Sequence, residues 1–270
     1  MQVNPSPKLA HLVKHYLILE NTSSYEQTYR FFPDGNPGLV FSYADPFTEG
    51  HDFAAVPNQY HNFFYGQANQ YHDLKAGKTI GLLVVVLQPW GLHVLSGLPG
   101  IETRNTRLSL DTLLAPVSVD VQQAKQRDCS EPLERIRQIE EFLSKLSPSA
   151  LTPETRFVQQ AVQQICQTNG MQPIQQILQG LGTTERSLER RFEQVIGLRP
   201  KQFSRIIRLQ NSLRIHRQKP TLNLTELTYC AGYYDQAHFI REFNQLVGLT
   251  PKQYEANPNR LAVNLMPIGH

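Results

Sequence analysis

The sequence has few cysteines and no long apolar run. Its three cysteines, Cys129, Cys166 and Cys230, are odd in number and widely spaced. This argues for a reducing compartment and against a disulfide framework or a structural zinc site. The most apolar run, residues 80–87, is too short to cross a bilayer, and the first residues lack the apolar core of a signal peptide. We therefore expect a cytoplasmic protein without a membrane association.

Groups required by most enzymes and metal sites are also missing. We find no nucleophile–base pair, no phosphate-binding loop and no HxH cluster with a following Glu, and His61, His72 and His93 are isolated. Cys129 has basic neighbours at the start of a predicted helix, which favours a reactive thiol, but a linker cysteine is the simpler interpretation. We expect no enzymatic activity, no bound metal and no cofactor.

Charge is unevenly distributed along the chain. The totals are 26 basic and 23 acidic residues, but residues 184–219 hold 10 basic and 3 acidic side chains. Residues 1–152 are mildly acidic, with 12 basic and 15 acidic side chains. This asymmetry predicts a polyanionic partner for one region of the chain only.

The first part of the chain has the pattern of β-strands and turns. Apolar and aromatic runs at 38–43, 61–66 and 80–87 are separated by Gly, Pro, Asn and Asp. This pattern is typical of an antiparallel barrel or sandwich. The aromatic residues fill the β core in the simpler interpretation, and line a small-molecule pocket in the alternative one.

A helical period begins near residue 130. Residues 131–146 carry one apolar stripe, with Ser130 as a candidate N-cap. The stripe fits docking on the chain's own β domain or pairing with the same helix of a second subunit. Residues 147–153 read as a linker.

A twelve-residue sequence motif occurs twice, 51 residues apart. FEQVIGLRPKQF spans 192–203 and FNQLVGLTPKQY spans 243–254, with seven identical positions. Each copy ends one predicted helix and starts the next, across a glycine suited to a left-handed cap and a proline suited to a first turn. The predicted helices are 154–168, 174–179, 185–196, 200–217, 224–231, 235–247 and 251–254.

These helices form two units of a short helix, a glycine turn and a longer helix, which is the helix-turn-helix pattern. The helix between the units, 200–217, spans roughly 27 Å, close to the roughly 34 Å of one DNA turn. It could therefore hold two recognition helices in successive major grooves. The alternative is a helical docking bundle whose arginines are a solvated face.

Residues 174–255 resemble the DNA-binding domain of AraC/XylS-type transcription regulators. The resemblance is specific in the second unit, through Gly232, Asp235, Phe239, Arg241, Phe243, Gly248, Pro251 and Tyr254. It implies two helix-turn-helix units joined by a linker helix, and it implies activation of transcription. By position, the base-reading candidates are Arg186, Glu189, Arg190, Gln236, Ala237, His238 and Arg241. Departures are Leu178 in the first helix, and Tyr234 and Ala237 where small hydroxyl residues are usual.

The N-terminal part resembles the cupin-like sensor domains of such regulators, through RFFPDGNPGLVFSY, PWG and SGLPG. We expect a two-domain α+β fold: an antiparallel β-barrel at 1–118, a coupling or dimerisation segment at 119–152, an all-α DNA-binding domain at 153–258 and a tail at 259–270. The expected partners are promoter DNA, RNA polymerase, a second copy of the chain and a small-molecule effector. An N-terminal domain that binds only another protein is the alternative to the effector.

Overall fold

The computed structural model describes residues 1–45, 47–49, 62–110, 131–146, 151–257 and 260–268. Two antiparallel β-sheets dominate the first part of the chain, and helices form the second part. The two-domain α+β class predicted from the sequence is confirmed. Within the described residues, no helix combines the length and the apolar character needed to span a membrane.

Two sheets face each other in the N-terminal domain. The first has the strand order β1-β2-β8-β4-β6-β9 and the second the order β10-β3-β7-β5. The strands are β1 (Gln2–Val3), β2 (Val13–Thr22), β3 (Gln27–Phe31), β4 (Gly38–Ser42), β5 (Phe47–Glu49), β6 (Asn62–Tyr65), β7 (His72–Ala76), β8 (Thr79–Leu87), β9 (Arg107–Ser109) and β10 (Leu265–Ile268). Two short helices, α1 (Gly91–Ser96) and α2 (Gly100–Thr103), follow β8.

Strand β8 is buried on both faces. Ile80, Leu82, Val84 and Val86 pack in the core between the two sheets, while Leu83, Val85 and Leu87 pack in a core on the other side of the first sheet. Successive side chains of a strand point to opposite faces. A strand covered on both sides therefore needs a continuous apolar run, and residues 80–87 supply it.

Helix α3 (Pro132–Leu146) packs on the outer face of the first sheet. Its Ile136, Ile139 and Leu143 are buried in the same core as Tyr16. Glu140 Oε1 accepts hydrogen bonds from the Ser6 backbone N–H at 2.7 Å and from the Tyr16 hydroxyl at 3.2 Å. The apolar stripe of α3 therefore packs against the chain's own first sheet, which favours docking on the β domain over pairing with a second subunit.

The C-terminal domain is built from seven helices in the described residues. They are α4 (Pro153–Gln167), α5 (Ile174–Leu181), α6 (Glu185–Val195), α7 (Pro200–Gln218), α8 (Leu224–Cys230), α9 (Gln236–Val247) and α10 (Pro251–Glu255). Helices α5 and α6 form the first helix-turn-helix unit, α8 and α9 form the second, and α7 joins them. Each agrees with its predicted range to within two residues at either end.

Left-handed glycines end both recognition helices, as the sequence predicts. Gly197 follows α6 with φ +90°, and Gly248 follows α9 with φ +71°. Thr250 then caps α10, accepting a hydrogen bond from the Gln253 backbone N–H. One hydrophobic core runs through both units and includes Phe192 and Phe203 from the first and Phe243 and Tyr254 from the second.

The N-terminal domain contacts equivalent positions in the two copies of the twelve-residue motif. A Cβ on Gly197 would overlap the Gly100 backbone, and a Cβ on Gly248 would overlap the Tyr71 ring. Thus the terminal glycine of each recognition helix lies against the N-terminal domain. The last residues of the two copies, Phe203 and Tyr254, also contact this domain: Gly35 lies against the Phe203 ring, and the Phe32 ring packs edge-on against Tyr254, with 6.0 Å between the ring centroids.

The C-terminal segment is part of the N-terminal domain. Strand β10 pairs with β3, with Leu265 opposite Phe31 and Ile268 opposite Thr28. The segment 259–270, expected to be a tail, therefore contains a strand that was not predicted. A four-residue segment is too short for its pairing to be recognised from alternation alone.

Some expectations fall outside the described residues. Ser130 and Cys129 lie there, as do His61 and the expected domain boundary at residue 118. The domain boundaries taken from the sequence remain predictions.

The contact between Gly100 and Gly197 predicts a matched pair of alanine variants. Gly182 is also a left-handed helix cap, with φ +60°, but has open space where a Cβ would be placed. We expect Gly182→Ala to lower stability by about 1 kcal/mol, the cost of a side chain at positive φ. Gly197→Ala should cost clearly more, because it also separates the domains. Thermal denaturation of both variants checks this, and equal losses would show that the backbone contact is not important.

Candidate nucleic-acid interface

Local caps fix the start of each recognition helix. The Thr184 hydroxyl accepts a hydrogen bond from the Ser187 backbone N–H at 3.3 Å, and Asp235 Oδ1 accepts one from the His238 backbone N–H at 2.7 Å. Such caps satisfy amide groups that have no partner within the helix. The caps therefore fix the first residue of α6 and of α9, and with it the positions of the outward-facing side chains.

The first recognition helix presents two exposed cationic side chains to solvent. Arg186 and Arg190 are exposed one turn apart, and Glu189 between them is half-buried. The neighbouring Arg191 stacks over the Phe157 ring at 4.5 Å and so serves packing. All three predicted readers of this unit therefore lie on the outward side of α6.

The second recognition helix presents a less charged face. Ala237 and Arg241 are exposed, and the Arg241 guanidinium donates to the Ala237 carbonyl at 3.2 Å. Gln236 donates its side-chain amide to the Thr225 hydroxyl. The His238 ring lies edge-on to Tyr233, with 5.4 Å between the ring centroids. Gln236 and His238 are thus half-buried and held in place before any partner binds.

One polar cleft brings readers of both units together. Glu189 from α6 and His238 and Arg241 from α9 line the same cleft, which has a volume of about 750 Å³. Cationic side chains of the linker helix line it too: Lys201, Arg205 and Arg208. The other four predicted readers do not line this cleft.

A buried carboxylate fixes α9 against the linker helix. Glu242 is 3% exposed, and its carboxylate accepts from Arg205 Nε at 2.8 Å and from Arg208 Nη2 at 3.2 Å. Arg205 also donates to Gln245 Oε1 at 2.7 Å. Charge-assisted bonds of this kind are strong and directional, so they set the orientation of the second recognition helix.

Sequence reasoning missed both Glu242 and Tyr234 as site residues. Glu242 follows Arg241 directly, and its signal was one acidic residue opposite two arginines spaced three apart on α7. Tyr234 is 85% exposed immediately before the Asp235 cap. Its signal was a large aromatic residue where the resemblance implies a small hydroxyl residue, and its phenol hydroxyl can donate a hydrogen bond to a phosphate oxygen.

The described residues contain no cluster of three or more His, Cys, Asp or Glu side chains that could hold a metal ion. Two of the isolated histidines, His72 and His93, are accounted for by their packing and hydrogen bonding. Burial lowers the pKa of His72 to about 4. The ring of His93 is hydrogen-bonded through Nδ1 to the Leu98 carbonyl at 2.7 Å.

Two family models match the chain. Residues 177–257 match a helix-turn-helix domain, and residues 1–109 match a domain of unknown function, DUF6597. The first match spans both units described above. It confirms the resemblance that the sequence showed over residues 174–255.

Several solved structures of ToxT from Vibrio cholerae are similar to the chain, each with a TM-score of 0.50. A 1.65 Å structure is 11% identical and aligns over 88% of this chain and 96% of its own. An apo form is 14% identical over 93% and 98%. A complex with (E)-4-(8-methylnaphthalen-1-yl)but-3-enoic acid is 12% identical over 88% and 97%. At this identity the similarity shows a shared fold. None of the curated proteins matches the chain.

The two recognition helices should differ in their salt dependence on DNA. Residues 184–219 hold most of the positive charge, whereas residues 221–258 hold 2 basic and 4 acidic groups. We expect Arg190→Ala to reduce the slope of log affinity against log salt by about 1, as for the loss of one cation at the DNA surface. Arg241→Ala should change the slope less. A larger slope change for Arg241→Ala in a salt titration would contradict this assignment.

The Glu242 carboxylate should be a major source of stability. Glu242→Gln removes the counter-charge of Arg205 and Arg208, and we expect a loss of about 3 kcal/mol in the free energy of unfolding. Glu193→Gln is the control, because Glu193 pairs with an Arg199 side chain that is 60% exposed. That change should cost less than about 1 kcal/mol. Urea denaturation compares the two, and a similar small loss in both would contradict the proposed role.

Proposed function

We propose that the chain is a DNA-binding transcription regulator that recognises one operator through both recognition helices. The match of residues 177–257 to a helix-turn-helix domain supports this. The observation that carries the proposal is the shared cleft, which is lined by Glu189 from α6 and by His238 and Arg241 from α9.

The proposed base contacts follow from side-chain chemistry. Arg186, Arg190 and Arg241 can pair with guanine, and Gln236 can pair with adenine after leaving the Thr225 hydroxyl. Glu189 can accept from the amino group of cytosine, Ala237 can contact a thymine methyl group, and His238 can donate or accept at a base edge. Two different sets of readers imply two different half-sites.

The linker helix sets the spacing of the half-sites. Helix α7 has 19 residues, which corresponds to about 28 Å. This length is close to one DNA turn, about 34 Å, so two recognition helices joined by α7 suit half-sites about one turn apart, after a modest adjustment of the protein or a bend of the DNA.

We also propose that a small molecule controls the regulator from the N-terminal domain. A mostly apolar cavity lies between the two sheets, lined by Val84 and Phe63 and, at polar positions, by Asp34 and Arg107. Burial raises the pKa of the Asp34 carboxyl. The ToxT complex named above holds an aromatic carboxylic acid, which supports an apolar acid as a first compound to test.

The small size of the cavity favours a second candidate function. Its volume is about 70 Å³, whereas pockets for drug-sized ligands have roughly 300 to 1,000 Å³. An N-terminal domain that binds a protein partner and no small molecule is consistent with so small a cavity.

The remaining partners are proposed from the class of regulator. RNA polymerase is the expected target of an activator bound near a promoter, and the cytoplasm is the expected location. A homodimer would need a surface other than the buried stripe of α3, because Ile136, Ile139 and Leu143 pack on the chain's own sheet.

The test is binding of the purified chain to its own upstream DNA and to an unrelated duplex, at about 50 to 200 mM salt. We expect specific protection over two adjacent turns. Arg186→Ala should weaken binding to the upstream DNA by about tenfold and leave the unrelated duplex less affected. Lys219→Ala, which removes a charge just after the linker helix, should weaken both equally. Equal binding of the wild-type chain to both duplexes would refute the regulator.

A further inference from the structure

Strand β10 is shared by the two domains. Leu265 lines the cavity between the sheets and is opposite Phe31 in the ladder. The next residue, Met266, is fully buried in the core of the helical domain. Adjacent residues of one short strand therefore form a wall of the cavity and a part of the helical core.

Strand β3, the partner of β10, holds the second recognition helix as well. Arg30 Nη1 donates to the Gly248 carbonyl at the end of α9 at 2.9 Å, while its Nε and Nη2 pair with Asp73 at 2.7 Å. The hydrogen bonds to Asp73 raise the pKa of Arg30. The Phe32 N–H donates to the Asn264 carbonyl at 3.1 Å, which continues the ladder beyond its last strand pair.

The cavity can admit a larger molecule if one of its walls moves. Strand β8 cannot move easily, because both of its faces are buried and it pairs with β2 and β4. Strand β10 has four residues and is at the edge of its sheet among the described strands, where it pairs with β3. Its Leu265 also forms a bridge with the nearby Ala262. A short edge strand is the wall that opens at the lowest free-energy cost.

We propose that β10 is a displaceable latch that couples the cavity to the second helix-turn-helix unit. A molecule larger than the present cavity pushes out Leu265, separates β10 from β3 and withdraws Met266 from the helical core. This inference rests on the small-molecule control proposed above and states how it operates. It also removes the conflict between a sensor domain and a cavity of about 70 Å³.

Opening the latch weakens the attachment of the second unit to the N-terminal domain. The first unit stays against the N-terminal domain through Gly197 and Gly100. The second unit loses the β10 connection and keeps its other contacts with the N-terminal domain, including the hydrogen bond from Arg30 to the Gly248 carbonyl. Because fewer contacts then hold the helical domain, both recognition helices can adjust together to successive grooves, so the open form binds the operator more tightly.

Two variants with opposite effects test the latch without a ligand. The first is Thr28→Cys with Ile268→Cys, in a chain carrying Cys129→Ser, Cys166→Ser and Cys230→Ser. Thr28 and Ile268 are directly opposed across the ladder, at a separation that suits a disulfide. We expect the oxidised protein to bind upstream DNA about tenfold more weakly than the reduced protein, with protection of the second half-site lost.

The second variant is Leu265→Trp, whose side chain is too large for the cavity and should hold the latch open. We expect about tenfold tighter operator binding than wild type. Val263→Trp is the control, because it adds the same bulk in the same segment at a residue that does not line the cavity. It should bind as wild type does.

Equal operator binding by the oxidised and reduced forms would overturn the latch, as would equal binding by Leu265→Trp and Val263→Trp. If the wild-type chain itself shows no specific binding, the regulator proposal fails. Hydrogen exchange at the Phe32 amide then still decides the latch. Faster exchange in Leu265→Trp than in Val263→Trp supports it, and equal exchange contradicts it.

Discussion

The structure depends on one repeated contact between the two domains. The N-terminal domain lies against the glycine that ends each recognition helix, through Gly100 at Gly197 and Arg30 at Gly248. These glycines occupy equivalent positions in the two copies of the twelve-residue motif. Docking at the C-terminal ends leaves the capped, outward-facing ends free. A single domain thereby touches both units and still allows both to meet DNA.

Local chemistry made the helical domain predictable. Each helix there begins or ends at residues whose preferences are strong and short in range, such as the Thr184 and Asp235 caps and the left-handed Gly197. The apolar run of β8 was equally clear, because a strand buried on both faces leaves no polar interruption. The base-reading candidates were assigned by position in both recognition helices and remain predictions; all of them are exposed or half-buried.

Contacts between distant segments could not be predicted in this way. Glu242 is joined to arginines more than 30 residues away, and β10 pairs with a strand more than 200 residues earlier. Neither carries a local signal, because a buried ion pair and a short edge strand are defined by their partners. Even so, the segments that suggested a sensor domain contained Phe32, Trp90 and Gly100. All three contact the helical domain, so these segments mark the interface between the domains.

The internal pairing of arginines also bears on how the protein finds its site. Within the basic block, Arg199 is paired with Glu193, and Arg205 and Arg208 are paired with Glu242. These three cations displace fewer ions from random DNA than free arginines would, because each already has a counter-charge. Affinity for random DNA depends on the number of cations that can meet phosphates, so these pairs lower it. The buried carboxylate that orients α9 therefore also limits how much of the basic block can bind random sequence.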